Sequence, residues 1–246
     1  MRRVLMFPAA IFLLSLSGWS QAAPAAPAKK PTPAKPATAA KPATPVTAKP
    51  TAVIDTTAGK LTCTLFPDKA PIGVANFVGL SRGTKDWTNP LDGKKMHGVP
   101  LYDGTIFHRV IPSFMIQGGD PKADGTGDPG YKFPNETSPD LGFDRPGRMA
   151  YANAGPGTNG SQFFVTEVPY PSLNGGYTLF GQCDDASVEL VKQIARMARD
   201  GNDRPYVPVK IKHITITGMA VHHAPAPHAA PAKKAVVKPK AAAPAQ

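Results

Sequence analysis

Arg109 stands in the run Phe107-His108-Arg109-Val110-Ile111-Pro112-Ser113-Phe114-Met115-Ile116-Gln117-Gly118-Gly119-Asp120. A second run, Ala152-Asn153-Ala154-Gly155-Pro156-Gly157-Thr158-Asn159-Gly160-Ser161-Gln162-Phe163-Phe164, matches it in character. A guanidinium among Phe, Met, Gln and Asn side chains can grip a chain by apolar contact and amide hydrogen bonds. It can also aim a charged donor at an atom that gains electron density. Neither run carries a nucleophile with its base, a set of metal ligands or a phosphate loop. The set suits a reaction in which no covalent bond is broken.

Each of these residues also has a plainer reading. An arginine beside a strand is ordinarily a surface charge, and Phe114 and Met115 could simply be core. Alternation puts Phe163 in the core and Phe164 as its exposed neighbour, and it turns His108 away from Arg109 in a structural role. Gly125-Thr126-Gly127-Asp128-Pro129-Gly130 has G-x-G-x-x-G spacing. It neither follows a strand nor opens a helix, so it is not a dinucleotide loop. Asn135-Glu136-Thr137 and Asn159-Gly160-Ser161 are glycosylation sequons by letter only. His222, His223 and His228 lie in a polar tail and define no metal site.

The elements that must position these residues follow from hydrophobic periodicity. Strands are expected over Val53–Thr57 and Lys60–Phe66, joined by an Ala58-Gly59 turn, and over Thr105–Ile111, Phe114–Gly118, Arg148–Ala152, Gln162–Thr166, Thr178–Cys183 and Val209–Thr217. In the last of these, alternation places Val209, Ile211 and His213 on one face, with Ile214 and Ile216 on the other. A first helix opens at Pro71, where a missing N–H costs nothing, and packs through Val74, Phe77 and Val78. A second runs from about Ser187 to Met197, capped by Asp184 or Asp185, with Val188, Val191, Ile194, Ala195 and Ala198 as its stripe. Residues 82–104 and 120–146 read as long loops. Met115 and Gln117 share one strand face and Ile116 takes the other. The pattern suggests a mainly β fold, a closed eight-stranded antiparallel barrel capped by two helices.

The two runs closely resemble the signature blocks of the cyclophilin family of peptidyl-prolyl cis-trans isomerases, and the resemblance covers nearly all of residues 52–219. It implies catalysis of rotation about Xaa-Pro bonds without a cofactor or metal. It implies that Arg109 is the catalytic residue, that Phe114, Met115, Phe164 and Leu173 wall the proline pocket, and that Ala152 edges it. Gln117, Asn153 and Gln162 match amides that hold the substrate backbone. Ser172 stands where the family's best-known members have a tryptophan, and Tyr177 where they have a histidine. The chemistry is consistent with the residues. Rotation about the peptide bond is opposed by ~18–20 kcal/mol, and the twisted amide returns a lone pair to the prolyl nitrogen, which a charged donor can stabilise. The alternative from the same residues is a non-catalytic module that binds proline-containing chains, tethered to the cell envelope by its tails.

Charge bounds the remainder. The 246-residue chain carries a net charge of +11. Residues 1–51 and 220–246 hold that whole excess and no acid, so residues 52–219 are neutral overall. Arg2-Arg3, the apolar run Val4 to Leu16 and the small residues Ser20, Ala22 and Ala23 form a secretory signal pattern, with cleavage placed after Ala22. The expected organisation is a signal peptide over 1–22, a disordered Ala/Pro/Lys-rich linker over 23–51, the isomerase domain over 52–219, and a disordered tail over 220–246. The expected location is periplasmic or secreted. The expected partners are proline-containing unfolded or folding proteins and an anionic envelope surface met by the basic tails. Nucleic acid is not among them, and nothing in the sequence suggests more than a monomer. The chain has two cysteines, Cys63 and Cys183. An oxidising compartment permits a bridge, but Cys63 sits on an apolar strand face, which favours two separate core thiols.

Overall fold

The computed structural model describes residues 49–218, so the expected signal peptide, nearly all of the linker and the whole C-terminal tail lie outside the described residues. Strands β1 (Thr51–Thr56) and β2 (Gly59–Leu65) form a hairpin. Its turn is Thr57-Ala58 rather than Ala58-Gly59, because Thr56 pairs with Gly59. The Thr56 hydroxyl donates to the Gly59 carbonyl at 2.6 Å and closes the turn. Thr51, expected in the linker, already belongs to β1.

Helix α1 (Pro71–Arg82) follows. Val74, Phe77 and Val78 are buried as expected. The orphan N–H groups of its first turn find a partner far away in sequence. Ile72 and Gly73 donate to the two carboxylate oxygens of Glu136, at 3.0 and 2.7 Å, which satisfies the helix end and complements its dipole. The expected loop over 82–104 contains a small hairpin, β3 (Trp87–Thr88) with β4 (Lys95–Met96). The buried Trp87 anchors it, donating from Nε1 to the Val99 carbonyl at 2.9 Å.

The remaining strands are β5 (Phe107–Ile111), β6 (Met115–Gly118), β7 (Arg148–Tyr151), β8 (Phe163–Thr166), β9 (Leu179–Cys183) and β10 (Ile211–Thr217). A 3-10 turn covers Pro171–Leu173. Helix α2 (Asp185–Ala195) is capped by the Asp184 carboxylate, which accepts from the Ser187 N–H at 2.8 Å. It ends before Ala198, which is exposed.

One eight-stranded antiparallel sheet runs in the order β10-β1-β2-β9-β7-β8-β6-β5. It curls into a half-barrel rather than the closed barrel expected. Its end strands approach, and Phe107 and Ile211 donate to the carbonyls of Val209 and Thr105, but no continuous ladder joins β5 to β10. Inside the curl, Phe77 of α1 packs against Tyr102, Phe163 and Phe180 with ring centroids 5.1–5.6 Å apart.

Two bulges decide which faces the strands present. In β10, Asp55 pairs with His213 but Thr56 pairs with Ile211, so Lys212 is left over. The alternation changes phase there. Ile211, Ile214 and Ile216 all point inward while His213 is exposed, which corrects the simple two-face reading. In β5, the register shifts between Phe107 and Arg109. Phe107 enters the core, and Arg109 emerges on the outer face directly opposite Gln117 of β6. Bulges beside active sites commonly re-aim a side chain in this way.

Cys63 and Cys183 are both buried but are not separate thiols; they form a disulfide. They face each other across the β2–β9 pair. That pairing joins residues 120 positions apart in the chain, so local alternation could show each cysteine's face but not its neighbour.

Candidate active site

The outer face of the sheet carries a second apolar cluster, distinct from the barrel core. Met115, Phe143, Ala150, Phe164 and Leu179 form its buried part, and Phe114, Ala152, Leu173 and Tyr177 border it. Phe164 is therefore not an exposed neighbour of Phe163. Phe143 stacks on it at 5.9 Å and Tyr177 meets it edge-on at 5.5 Å, so the segments carrying Phe143 and Tyr177 cover its ring.

Arg109, Phe114, Met115, Gln117, Ala152, Asn153, Phe164, Leu173 and Tyr177 line one cavity of about 180 Å³. Gln162 lies beside it and lines a neighbouring cavity of about 330 Å³. A third depression, about 550 Å³, opens on the far side of Arg109, and Gln117 borders all three. Every predicted site residue is thus gathered on this face. Ser172 is exposed in the 3-10 turn and lines none of these cavities.

The polar rim is oriented by a directional chain of amides. The Gln162 amide nitrogen donates to the carbonyls of Gly125 and Gly127, at 3.0 and 2.9 Å. That fixes its oxygen toward Gln117, whose amide nitrogen donates to it at 2.9 Å. The Gln117 oxygen is left facing Arg109 and accepts from Nη1 at 3.4 Å. Asn153 donates from its side chain to the Gly176 carbonyl at 3.1 Å and accepts from the Gly155 N–H at 3.2 Å. Its side chain is thus committed to shaping the loop.

The carbonyls that begin this chain are held by a residue that periodicity did not single out. The Asp120 carboxylate, fully buried, accepts from the backbone N–H groups of Lys122, Asp124, Gly125 and Gly127 at 2.6–3.2 Å. A Cβ on Gly127 would lie 1.9 Å from its Oδ1, so only glycine fits. The glycine spacing rejected above as a nucleotide loop is explained by this wrapping around Asp120. Asn159 plays a similar part on the other side. Buried, it donates to the Pro134 carbonyl and to Asn135 Oδ1, at 3.0 and 2.9 Å.

His108, at the β5 bulge, is buried beneath Gly125, and among the described residues neither ring nitrogen has a hydrogen-bond partner. Burial pushes its pKa below the ordinary value. Folded His108 stays neutral at pH values where the unfolded imidazole takes up a proton. The unfolded state then binds more protons, so stability rises with pH through that window and falls as pH drops from about 6.5, the ordinary histidine pKa. The melting temperature is expected to decline between pH 7 and pH 5, and His108→Phe should flatten that slope. An unchanged slope in a folded variant would refute the assignment.

The outer face thus joins an apolar pocket, a rim of ordered amides and a guanidinium. Residues 51–216 match the sequence profile described as "Cyclophilin type peptidyl-prolyl cis-trans isomerase/CLD". The chain is 53% identical over 171 residues to peptidyl-prolyl cis-trans isomerase A of Mycobacterium tuberculosis, covering 69% of this chain and 93% of the relative. It is 48% identical over 167 residues to peptidyl-prolyl cis-trans isomerase B of Streptomyces anulatus, covering 67% and 95%. The crystal structure of a cyclophilin type isomerase from Cryptosporidium parvum superposes with a TM-score of 0.59 at 35% identity, over 68% of this chain and 96% of that one. A second structure of that protein, in the presence of the dipeptide Ala-Pro, gives 0.58 at 35% identity, over 68% and 98%. This chain belongs to the cyclophilin-type peptidyl-prolyl cis-trans isomerases.

Proposed function

We propose that this isomerase turns Xaa-Pro bonds in exported proteins while they fold, with Arg109 as its catalytic residue. The observation that carries the site assignment is the joint lining of one cavity by Arg109, Gln117 and the apolar residues Phe114, Met115, Phe164 and Leu173. A proline ring seated on Phe164 and Met115 places its nitrogen toward the rim, where the guanidinium stands. The planar amide offers that donor little, because its lone pair is delocalised. The twisted amide has the lone pair back, so the hydrogen bond strengthens as rotation proceeds and the barrier falls. Gln117, Gln162 and the main chain of Asn153 hold the flanking backbone, and Ala152 and Tyr177 bound the ring. No cofactor or metal enters this chemistry.

The proposed location is outside the cytoplasm, periplasmic or secreted, on the strength of Arg2-Arg3, the apolar run after them and the small residues to Ala23. Clients are proline-containing unfolded or folding chains, met by a monomer. The basic segments outside the neutral domain would draw the enzyme to an anionic envelope surface rather than to nucleic acid. Catalytic amounts of the full chain are expected to accelerate the proline-limited phase of refolding of an exported protein. Cell fractionation should recover the enzyme outside the cytoplasm and show salt-dependent release from the envelope. Residence in the cytoplasm would overturn the export assignment, and salt-insensitive partitioning would remove the role of the tails.

A further inference from the structure

The guanidinium of Arg109 has a second neighbour besides Gln117. Asp203 Oδ2 lies 3.8 Å from its Nε, on a loop distant in sequence from every residue of the pocket. That loop is built to stay put. The Asp200 carboxylate accepts from the N–H groups of Asn202 and Arg204, at 2.8 and 2.9 Å. The Asp203 N–H donates to the Asp200 carbonyl at 3.1 Å, and Arg204 reaches across to the Ala123 carbonyl of the loop around Asp120. Asp203 itself has φ of +62°, a left-handed conformation that few side chains other than Asn and Asp accept readily. Its carbonyl accepts from the Val110 N–H at 2.8 Å, which ties the loop to the strand carrying Arg109. Its other carboxylate oxygen accepts from Arg199 Nε at 3.1 Å.

We propose that Asp203 is a positioning residue for Arg109, holding the guanidinium in the pose from which it meets the prolyl nitrogen. This rests on the reading of Arg109 as the catalytic cation. The Arg109 side chain is 43% exposed and has a long flexible stem, and its bond to Gln117 is long at 3.4 Å. One weak anchor leaves such a group free to rotate into solvent, and each wrong rotamer is an inactive enzyme. A carboxylate on the Nε side supplies the second anchor. Arg199 shares that carboxylate, so Asp203 orients Arg109 without cancelling its charge. Among the described residues, Nη2 of Arg109 has no hydrogen-bond partner and remains available to substrate.

The test compares wild type, Asp203→Asn and Arg109→Ala as full chains on a proline peptide. Asparagine keeps the shape and tolerates the left-handed backbone while removing the charge. The kcat of Asp203→Asn should fall roughly 3- to 5-fold, the size of effect a part-exposed ion pair supplies. Its KM should stay within about twofold, because the pocket walls are untouched. Raising ionic strength should lower wild-type kcat toward the variant's value and leave the variant unchanged, since salt screens exposed pairs. An unchanged kcat in Asp203→Asn alongside a strongly impaired Arg109→Ala would overturn the inference alone. A loss confined to KM, or one that tracks a lowered melting temperature, would also overturn it. Full activity in Arg109→Ala would instead overturn the reading of the site on which it rests.

Discussion

Replacing Arg109 by alanine is expected to lower kcat/KM for an Xaa-Pro peptide by roughly 10- to 150-fold. A hydrogen bond to a charged group is worth about 1.5–3 kcal/mol, and each tenfold in rate needs about 1.4 kcal/mol. Peptide affinity should change little, because the planar ground-state amide offers the guanidinium a poor acceptor and the apolar walls remain. The melting temperature should also hold, since the side chain is half exposed and closes no core contact. Arg109→Lys should fall between the two, because an ammonium keeps the charge but loses the planar fork that meets Gln117 and substrate together. The measurement is the cis-to-trans rate by NMR exchange or a coupled assay, with circular dichroism to confirm folding. Activity within twofold of wild type in a folded Arg109→Ala would remove this residue from the mechanism.

Breaking the Cys63–Cys183 bond should act in the opposite way, on stability and not on chemistry. The bond closes a loop of 120 residues between two central strands. Disulfides typically contribute about 2–4 kcal/mol by constraining the unfolded chain. For a domain of this size each kcal/mol shifts the melting temperature by roughly 2–4 °C, so reduction should lower it by about 5–15 °C. The Cys63→Ala/Cys183→Ala double variant should melt similarly. Neither sulfur belongs to the outer face that carries the pocket, so kcat/KM at 25 °C should survive reduction. Equal melting curves with and without reductant, in a sample shown to be oxidised beforehand, would contradict this stabilising role.

Much of this molecule was legible in its residues, and the part that was not has a common cause. The hairpin at Thr51–Leu65 and helix α1 follow from alternation, from Pro71 and from the apolar residues Val74, Phe77 and Val78, all signals carried within a few positions. Most pocket residues came from two contiguous runs, Leu173 and Tyr177 came from the family resemblance alone, and all of them assemble on one face. The features that escaped depend on what lies opposite. Glu136 serves helix α1 across the fold. Cys183 faces Cys63 across a strand pair. Asp120 looks like an ordinary loop aspartate until four N–H groups are found around it. Asp203 reads as a surface turn residue until the strand beside it proves to carry Arg109. Phe164 is buried because segments carrying Phe143 and Tyr177 fold over it, which no local period records.

The bulge at Phe107–Arg109 makes the length of this segment as binding as its composition. A pleated strand assigns its residues to two sides by parity, and one extra residue inverts the assignment beyond it. Taking His108 into the ladder as a regular strand residue would put Arg109 on the same side as Phe107, inside the barrel among aromatic rings. A charge has no partner there, and the outer pocket would be left without its cation. A pair of residues added or removed together would leave every later side chain on its present side. The letters of the signature therefore place the cation outside only while one residue between Phe107 and Arg109 stays out of the ladder, and the pairing of this strand matters as much as its composition.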